Sequence, residues 1–358
     1  MQKMNIMQMM KDSFSGFKRK PAFTGFVLFT MALILNIILQ GPARFFTLQN
    51  INMLFATNMA FLLVVMGQSV LLISGTLDLS IGVQVALVNV VTIMTVQEWG
   101  IPFVLGCVLG VCAAILVSIV LWVCVAVFRL PDLLASFAMI FAIRGVNVLI
   151  MPVPQGTVSR VFFRAYDSLV FGFLPASSIA LFLALLIWAY LKRTRFGTNI
   201  YAVGANPQSA FAAGISPTKV QLQAFLYKGF LVGLAGICLT LMTASGNPIQ
   251  GEDIGIRSLA AAIIGGVAFG GWGSIASGIF GAGFFILIQN SVYFVFNMLF
   301  RLLPGTAVLS FWQNFLTEII VFLGLLMTII TMRGQREALQ MSIKKKFMLK
   351  KGDSDGKK

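Results

Sequence analysis

The sequence predicts an all-α polytopic membrane protein, a transmembrane helical bundle of about ten spans, some of them short or broken. Three observations carry that expectation. Of 358 residues, 58% are hydrophobic and only 10% charged, whereas soluble domains are about a quarter charged. Mean hydropathy is +0.93. Apolar runs of bilayer-crossing length recur along the chain, and its 26 basic residues gather at the ends and in one loop, as the positive-inside rule requires.

Apolar runs place spans near 22–39, 51–73, 101–127, 130–150, 169–191, 224–244, 275–299 and 310–331. Two shorter runs, 81–96 and 258–270, are rich in small residues and read as short spans or broken helices. The first run follows Lys18, Arg19 and Lys20 but is too long for a signal core and has no small-x-small site after it, so an uncleaved helix is expected. With both termini cytoplasmic, Arg129, Lys192, Arg193, Arg195 and Lys219 fall inside, and Arg44, Arg160, Arg164, Arg257 and Arg301 outside. The expected organisation is a cytoplasmic segment 1–21, a transmembrane domain 22–332 with a cytoplasmic loop at 192–223, and a basic cytoplasmic tail 333–358.

Composition excludes much chemistry. Histidine is absent, which removes the commonest general base and metal ligand. Cys107, Cys112, Cys124 and Cys238 lie in apolar runs without metal-type spacing and read as packing residues. No catalytic or metal site is expected, and no nucleic-acid partner, since the positive charge follows topology.

The long internal segment 192–223 is not a polar linker. Asn206 is placed to cap a helix with Pro207 in its first turn, and Gly214 to end it. A short, moderately apolar helix needs a docking surface or a lipid interface. The stretch from Asn206 to Gly214 carries no basic face, which favours docking.

In "LLISGTLDLSIGVQ", Asp78 stands among glycines and serines between apolar runs. It has three readings: capping the helix that begins near Ser80, bonding broken-helix amides, or touching a solute. Asn58, Gln68, Asn89, Gln289 and Asn290 are uncharged polar residues inside spans, able to exchange hydrogen bonds with a polar ligand or between helices. Arg144, Lys228 and Glu318 are ionisable groups within spans; Lys228 is expected to snorkel, and Asp78 or Asp132 are conceivable partners for Arg144. Gly265, Gly266, Gly270 and Gly271 open a glycine-rich run with no following P-loop lysine, so they read as close packing or a helix break rather than a phosphate cradle. The helices near 51–150 and 224–331 form two sets of four, entered from opposite sides, each with a polar break after its first helix. Such opposed sets fit an inverted repeat.

Three motifs stand in order: "GTLDLSIG", "TRFGTNIYAVGANPQSAFAAGIS" and "LAAAIIGGVAFGGWGS". Together they resemble the permease subunits of the ribose-type ABC importers, a family of sugar, autoinducer and nucleoside permeases, over roughly residues 50 to 330. The resemblance implies a second permease copy, a homodimer, with cytoplasmic ATP-binding subunits and an extracellular or periplasmic solute-binding protein. It places ATP and Mg on the partner ATPase, with no cofactor in this chain. It also implies that Gly197, Asn206, Ala210, Gly214 and Ile215 couple to the ATPase, while Asn58, Gln68, Asn89, Gln289 and Asn290 would line a path for a sugar-like solute, and Asp78, Ser80, Gly265, Gly266, Gly270 and Gly271 would form that path or the helix breaks beside it. Gly75, Thr76 and Leu77 depart from the family's usual Gly-Gly-Ile or Gly-Gly-Val, and Gln208 and Ser209 stand where an acid is common. The alternatives are a proton-coupled secondary transporter, using Asp78 or Glu318 as relays, and a membrane-embedded transferase.

Overall fold

The computed structural model describes residues 22–302 and 309–331; the expected segment 1–21 and basic tail 333–358 lie outside the described residues. The chain forms α1 (Ala22–Gln40), α2 (Pro42–Phe45), α3 (Leu48–Ile73), α4 (Ile81–Trp99), α5 (Phe103–Trp122) with a π-helical turn (Val123–Val127), and α6 (Asp132–Ile150). A short α7 (Arg160–Tyr166) and a hairpin of β1 (Leu169–Val170) and β2 (Leu174–Pro175) precede α8 (Ser178–Lys192), α9 (Arg195–Ala205) and α10 (Pro207–Ala212). The remainder is α11 (Pro217–Thr243), α12 (Ile254–Ile264), α13 (Ile275–Leu302) and α14 (Leu309–Thr331).

Among the described residues, seven helices are long and apolar enough to cross a membrane: α1, α3, α4, α5 with its π turn, α6, α11 and α13. The apolar α8 and α12 are shorter. Each run singled out in the sequence holds a helix, but several boundaries differ. The run 81–96 is a full helix to Trp99. The run 169–191 is not one span, because its first part is the hairpin, with Val170 paired to Leu174. In the three-residue loop between them, Phe171 and Gly172 both have positive φ, 53° and 77°, the backbone geometry that turns a tight hairpin. Hydropathy scores such an apolar hairpin as it would a helix. The run at 224–244 begins as helix already at Pro217. The run at 258–270 is helical only to Ile264, from Ile254.

Helix α3 is the centre of the bundle. In its most apolar stretch 89% of residues are buried, against 22% in α1 and α6, so α3 is enclosed by protein and the outer helices face the surroundings. Lipid tails supply no net hydrophobic drive between helices, so close packing must come from small residues. Helix α11 meets α5 through Gly229 and Gly233: a Cβ on Gly233 would sit 2.9 Å from Val111 Cα, and one on Gly229 3.0 Å from Ile115 Cα. Gly236 gives the same closeness to α4 at Val88. On the far side Asn36 Nδ2 donates to Leu287 O at 2.8 Å and ties α1 to α13.

Gly233→Leu would overpack this seam and is expected to cost about 1–3 kcal/mol, read as a lowered thermal unfolding midpoint of the detergent-solubilised protein. Gly145→Ala on α6, where a Cβ meets nothing within 4 Å, is expected to leave the midpoint unchanged.

Candidate functional site

Two chain breaks enter the bundle and meet. The first, residues 74–80, follows α3, which ends in a glycine-closed turn: Gly75 N donates to Leu72 O at 3.1 Å and Thr76 N to Leu71 O at 3.0 Å. Gly75 has φ 83°, a left-handed position that glycine adopts without steric cost. Asp78 then turns the chain into α4. Its Oδ1 accepts from Ser80 N at 2.7 Å and Ser80 Oγ at 2.6 Å. Its Oδ2 accepts from Gln84 Nε2 at 2.8 Å and Lys228 Nζ at 2.7 Å.

Lys228 does not snorkel. Both it and Asp78 are wholly buried. The ammonium also donates to Gln84 Oε1 and Ser118 Oγ, each at 2.9 Å, so its three protons are all used. Burial without such pairing would cost several kcal/mol per ion. Of the three readings of Asp78, the structure shows a bond to an amide of the break, Ser80 N, and no side-chain cap on the first turn of α4; the ion pair was not assigned from sequence, where its signal was a lone acid and a lone lysine in otherwise apolar runs.

The second break, residues 244–253, follows α11. Asn89 holds it: Nδ2 donates to Thr240 Oγ1 at 2.9 Å and Ser245 O at 3.0 Å, and Oδ1 accepts from Asn247 N at 2.8 Å. Asn147 Nδ2 adds bonds to Val83 O at 3.1 Å and Pro248 O at 3.3 Å. The breaks touch where α4 and α12 start: a Cβ on Gly82 would lie 2.8 Å from Gly251 O, and one on Gly255 2.8 Å from Leu79 O.

Beside the second break opens a cavity of about 220 Å³ whose lining includes Asn58, Gln250, Asp253, Arg257 and Gln289, with Phe61 and Phe285. The two rings lie 5.3 Å apart. Of the polar residues singled out in the sequence, the fold brings Asn58 and Gln289 here. Asn290 instead accepts from Gln40 Nε2 at 2.5 Å and borders another cavity. Gln68 is buried in α3, and neither amide atom has a hydrogen-bond partner among the described residues. Arg257, expected outside, lies in α12. Its guanidinium contacts Asp253 at 2.9 Å and Glu318 at 3.0 Å. Arg144 pairs with neither Asp78 nor Asp132 but with Glu252, at 3.3 Å.

At the end of the bundle where α3 finishes, the three sequence motifs converge on backbone. Gly271 N donates to Ile73 O at 3.1 Å. A Cβ on Gly204 would strike Ile73 O and lie 2.7 Å from Gly271 N, and one on Gly271 would lie 2.5 Å from Tyr201 O. Burial pushes the Tyr201 phenol above its ordinary pKa, so it stays neutral. Gly270 lies in the same turn, 3.7 Å from Gly204 O by its Cβ direction. Gly266, φ 95°, ends α12, with Val267 N donating to Ala262 O at 3.0 Å. Gly265 is the crossing point of α12 and α13, where a Cβ would meet Gly278 Cα at 3.1 Å.

Beyond this crossing, α9 and α10 form a small hairpin. Asn206 Oδ1 accepts from Gln208 N and Ser209 N, both at 3.0 Å, which starts α10. Gly197 is buried, and a Cβ there would meet Lys192 O and Cα. Ala210 is buried at 5% exposure while the next residue, Phe211, is 71% exposed. Ile215 N closes the turn onto Ala210 O at 2.9 Å, and the intervening Gly214 has φ 82°. The helix therefore shows Phe211 and the turn at Gly214 outward.

Residues 50–332 match the protein family described as "Branched-chain amino acid transport system / permease component". The D-allose transport system permease protein of Escherichia coli (strain K12) is 29% identical over 267 residues, 74% of this chain and 82% of that protein. The ribose import permease protein of Bacillus subtilis (strain 168) is 26% identical over 305 residues, 84% of this chain and 90% of its own length. The galactose/methyl galactoside import permease protein of Haemophilus influenzae is 26% identical over 292 residues, 75% of this chain and 86% of that protein. No solved structure matches the chain.

Removing one partner of the buried pair strands the other charge. Asp78→Asn or Lys228→Met alone is expected to cost about 3–5 kcal/mol, and the double variant Asp78→Asn/Lys228→Met less than the sum of the singles, measured as unfolding midpoints in one detergent.

Proposed function

Since the chain belongs to the branched-chain amino acid transport system / permease component family and is a multi-pass membrane permease for monosaccharides by its relatives, we propose that it forms half of the translocation path of a binding-protein-dependent ABC importer. In this reading a second copy completes the path, separate ATPase subunits dock on α9 and α10, and a solute-binding protein delivers the solute to the opposite face. The three shorter or later elements, α8, α12 and α14, complete ten membrane-embedded segments, with both termini on the ATPase side of a bacterial inner membrane. ATP and Mg act on the partner subunit.

One observation carries the proposal. Arg144–Glu252 and Asp253–Arg257–Glu318 form a contiguous band of charge across α6, the second break, α12 and α14, with the Arg144, Asp253 and Glu318 side chains 51%, 57% and 49% exposed. Arg144 lies in α6, one of the seven helices long enough to cross a membrane, where a charge does not face acyl chains. The band needs water or another protein surface, and a path between two copies supplies both. The cavity with Asn58, Gln250 and Gln289 adjoins it and offers amide groups to hydroxyls beside an aromatic wall.

The family description names branched-chain amino acids, while the relatives above are named for sugars. Arg257, the basic residue of that cavity's lining, is already held by two carboxylates, which leaves a zwitterion's carboxylate no free guanidinium there. Neutral polyols fit that balance. The exposed Phe211 beside Gly214 supports α10 as the ATPase contact.

Three outcomes test this reading. In the reconstituted complex, Phe211→Glu or Gly214→Arg is expected to lower solute-stimulated ATP hydrolysis at least about tenfold, through a charge placed in a docking surface. Asn58→Leu or Gln289→Leu is expected to slow monosaccharide uptake about fivefold, the worth of one hydrogen bond of roughly 1 kcal/mol, with ATPase docking retained. Uptake that persists without ATP and follows a proton gradient would overturn the assignment in favour of a secondary carrier.

A further inference from the structure

Two cavities at the α8–α9–α11 corner share Arg195 and Gln223. The larger, about 720 Å³, runs between α8 and α11 and is walled by Ile187, Leu191, Phe196, Leu226, Tyr227 and Phe230. It is almost wholly apolar until it reaches Thr194, Arg195 and Gln223. The smaller, about 440 Å³, continues from there as a polar cup with Asn199, Ser216 and Lys219, floored by Gly214 and Ile215. Arg195 and Lys219 have no ion-pair partner among the described residues; the four pairs present lie elsewhere. Arg195 also opens α9, whose N-terminal amides add positive potential.

An apolar groove at the end of membrane helices takes an acyl chain, and basic residues at its mouth select the headgroup. We propose that the groove and cup together bind an anionic phospholipid, its chain along α8 and α11 and its phosphate between Arg195 and Lys219. Charge complementarity names this occupant over a neutral lipid. The groove's length of apolar wall names it over a free phosphate. The seat has a consequence for the molecule, because its floor is the turn that closes α10: lipid in the cup braces the α9–α10 hairpin. The inference stands on the two cavities and does not depend on the transport assignment.

The test is native mass spectrometry of the full chain in detergent, titrated with dioleoylphosphatidylglycerol, dioleoylphosphatidylcholine or glycerol phosphate. The glycerol lipid is expected to be retained at least about tenfold better than the choline lipid, at about 1 kcal/mol per basic residue. Arg195→Gln/Lys219→Gln is expected to abolish that preference, and Leu226→Trp to weaken both lipids. Lys192→Gln/Arg193→Gln, in the same segment but outside both cavities, is expected to leave the preference intact; matched size-exclusion profiles exclude misfolding. The proposal is overturned if the preference survives the Arg195/Lys219 variant, if glycerol phosphate displaces the lipid at equal concentration, or if deleting residues 1–21 or dissociating a second copy is what opens the groove to lipid.

Discussion

A buried lysine and a buried aspartate hold this bundle at its centre. Lys228 and Asp78 are both fully enclosed, in an interior where an unpaired charge would be unsustainable. The lysine's remaining protons go to Gln84 and Ser118, so one ammonium ties the first break, α4, α5 and α11 together. Room for its stem comes from glycine: a Cβ on Gly67 would lie 3.2 Å from Lys228 Cγ. The pair thereby fixes how deep the first break enters, and with it where α4 begins. The second break packs against that start at Gly82 and Gly255, so its depth follows from the first.

From that fixed centre the two ends of the bundle differ in chemistry. One end carries the polar cavity and the charge band, with carboxylates and guanidinium groups partly exposed. The other carries the α9–α10 hairpin, joined to α3 and to the glycine turn after α12 through backbone contacts at Gly204 and Gly271. Contacts made by backbone alone leave no side chain to rotate and absorb a displacement. A push on the hairpin therefore reaches the end of α3 and the α12–α13 turn directly, and both lead to the breaks. This gives a stiff connection between the hairpin end and the cavity end.

Much of this was legible in the residues. Long apolar runs located the helices because a span's length and composition are set by the bilayer. Asn206, Pro207 and Gly214 marked α10 because capping is local chemistry. Other features were not legible for equally physical reasons. The hairpin at Leu169–Pro175 hid in an apolar run, since hydropathy does not register the two positive-φ residues that turn it. Arg257 was assigned to an external segment by counting spans, and no local signal showed that two carboxylates from separate elements, Asp253 and Glu318, would both hold it. Among the polar residues of the spans, nothing local separated Asn58 and Gln289, which border a cavity, from Asn89, which pins a loop.

The sequence by itself determined that the chain is an all-α membrane protein, which segments break, and where a short capped helix would project. These are properties of hydropathy, glycine and capping residues, all read within a few positions. Only the tertiary structure decided the pairings: Asp78 with Lys228, Arg144 with Glu252, Arg257 with Glu318, and Gly204 with Gly271. Each joins residues far apart in the chain whose charges or missing side chains allow many partners, and packing around α3 selects one.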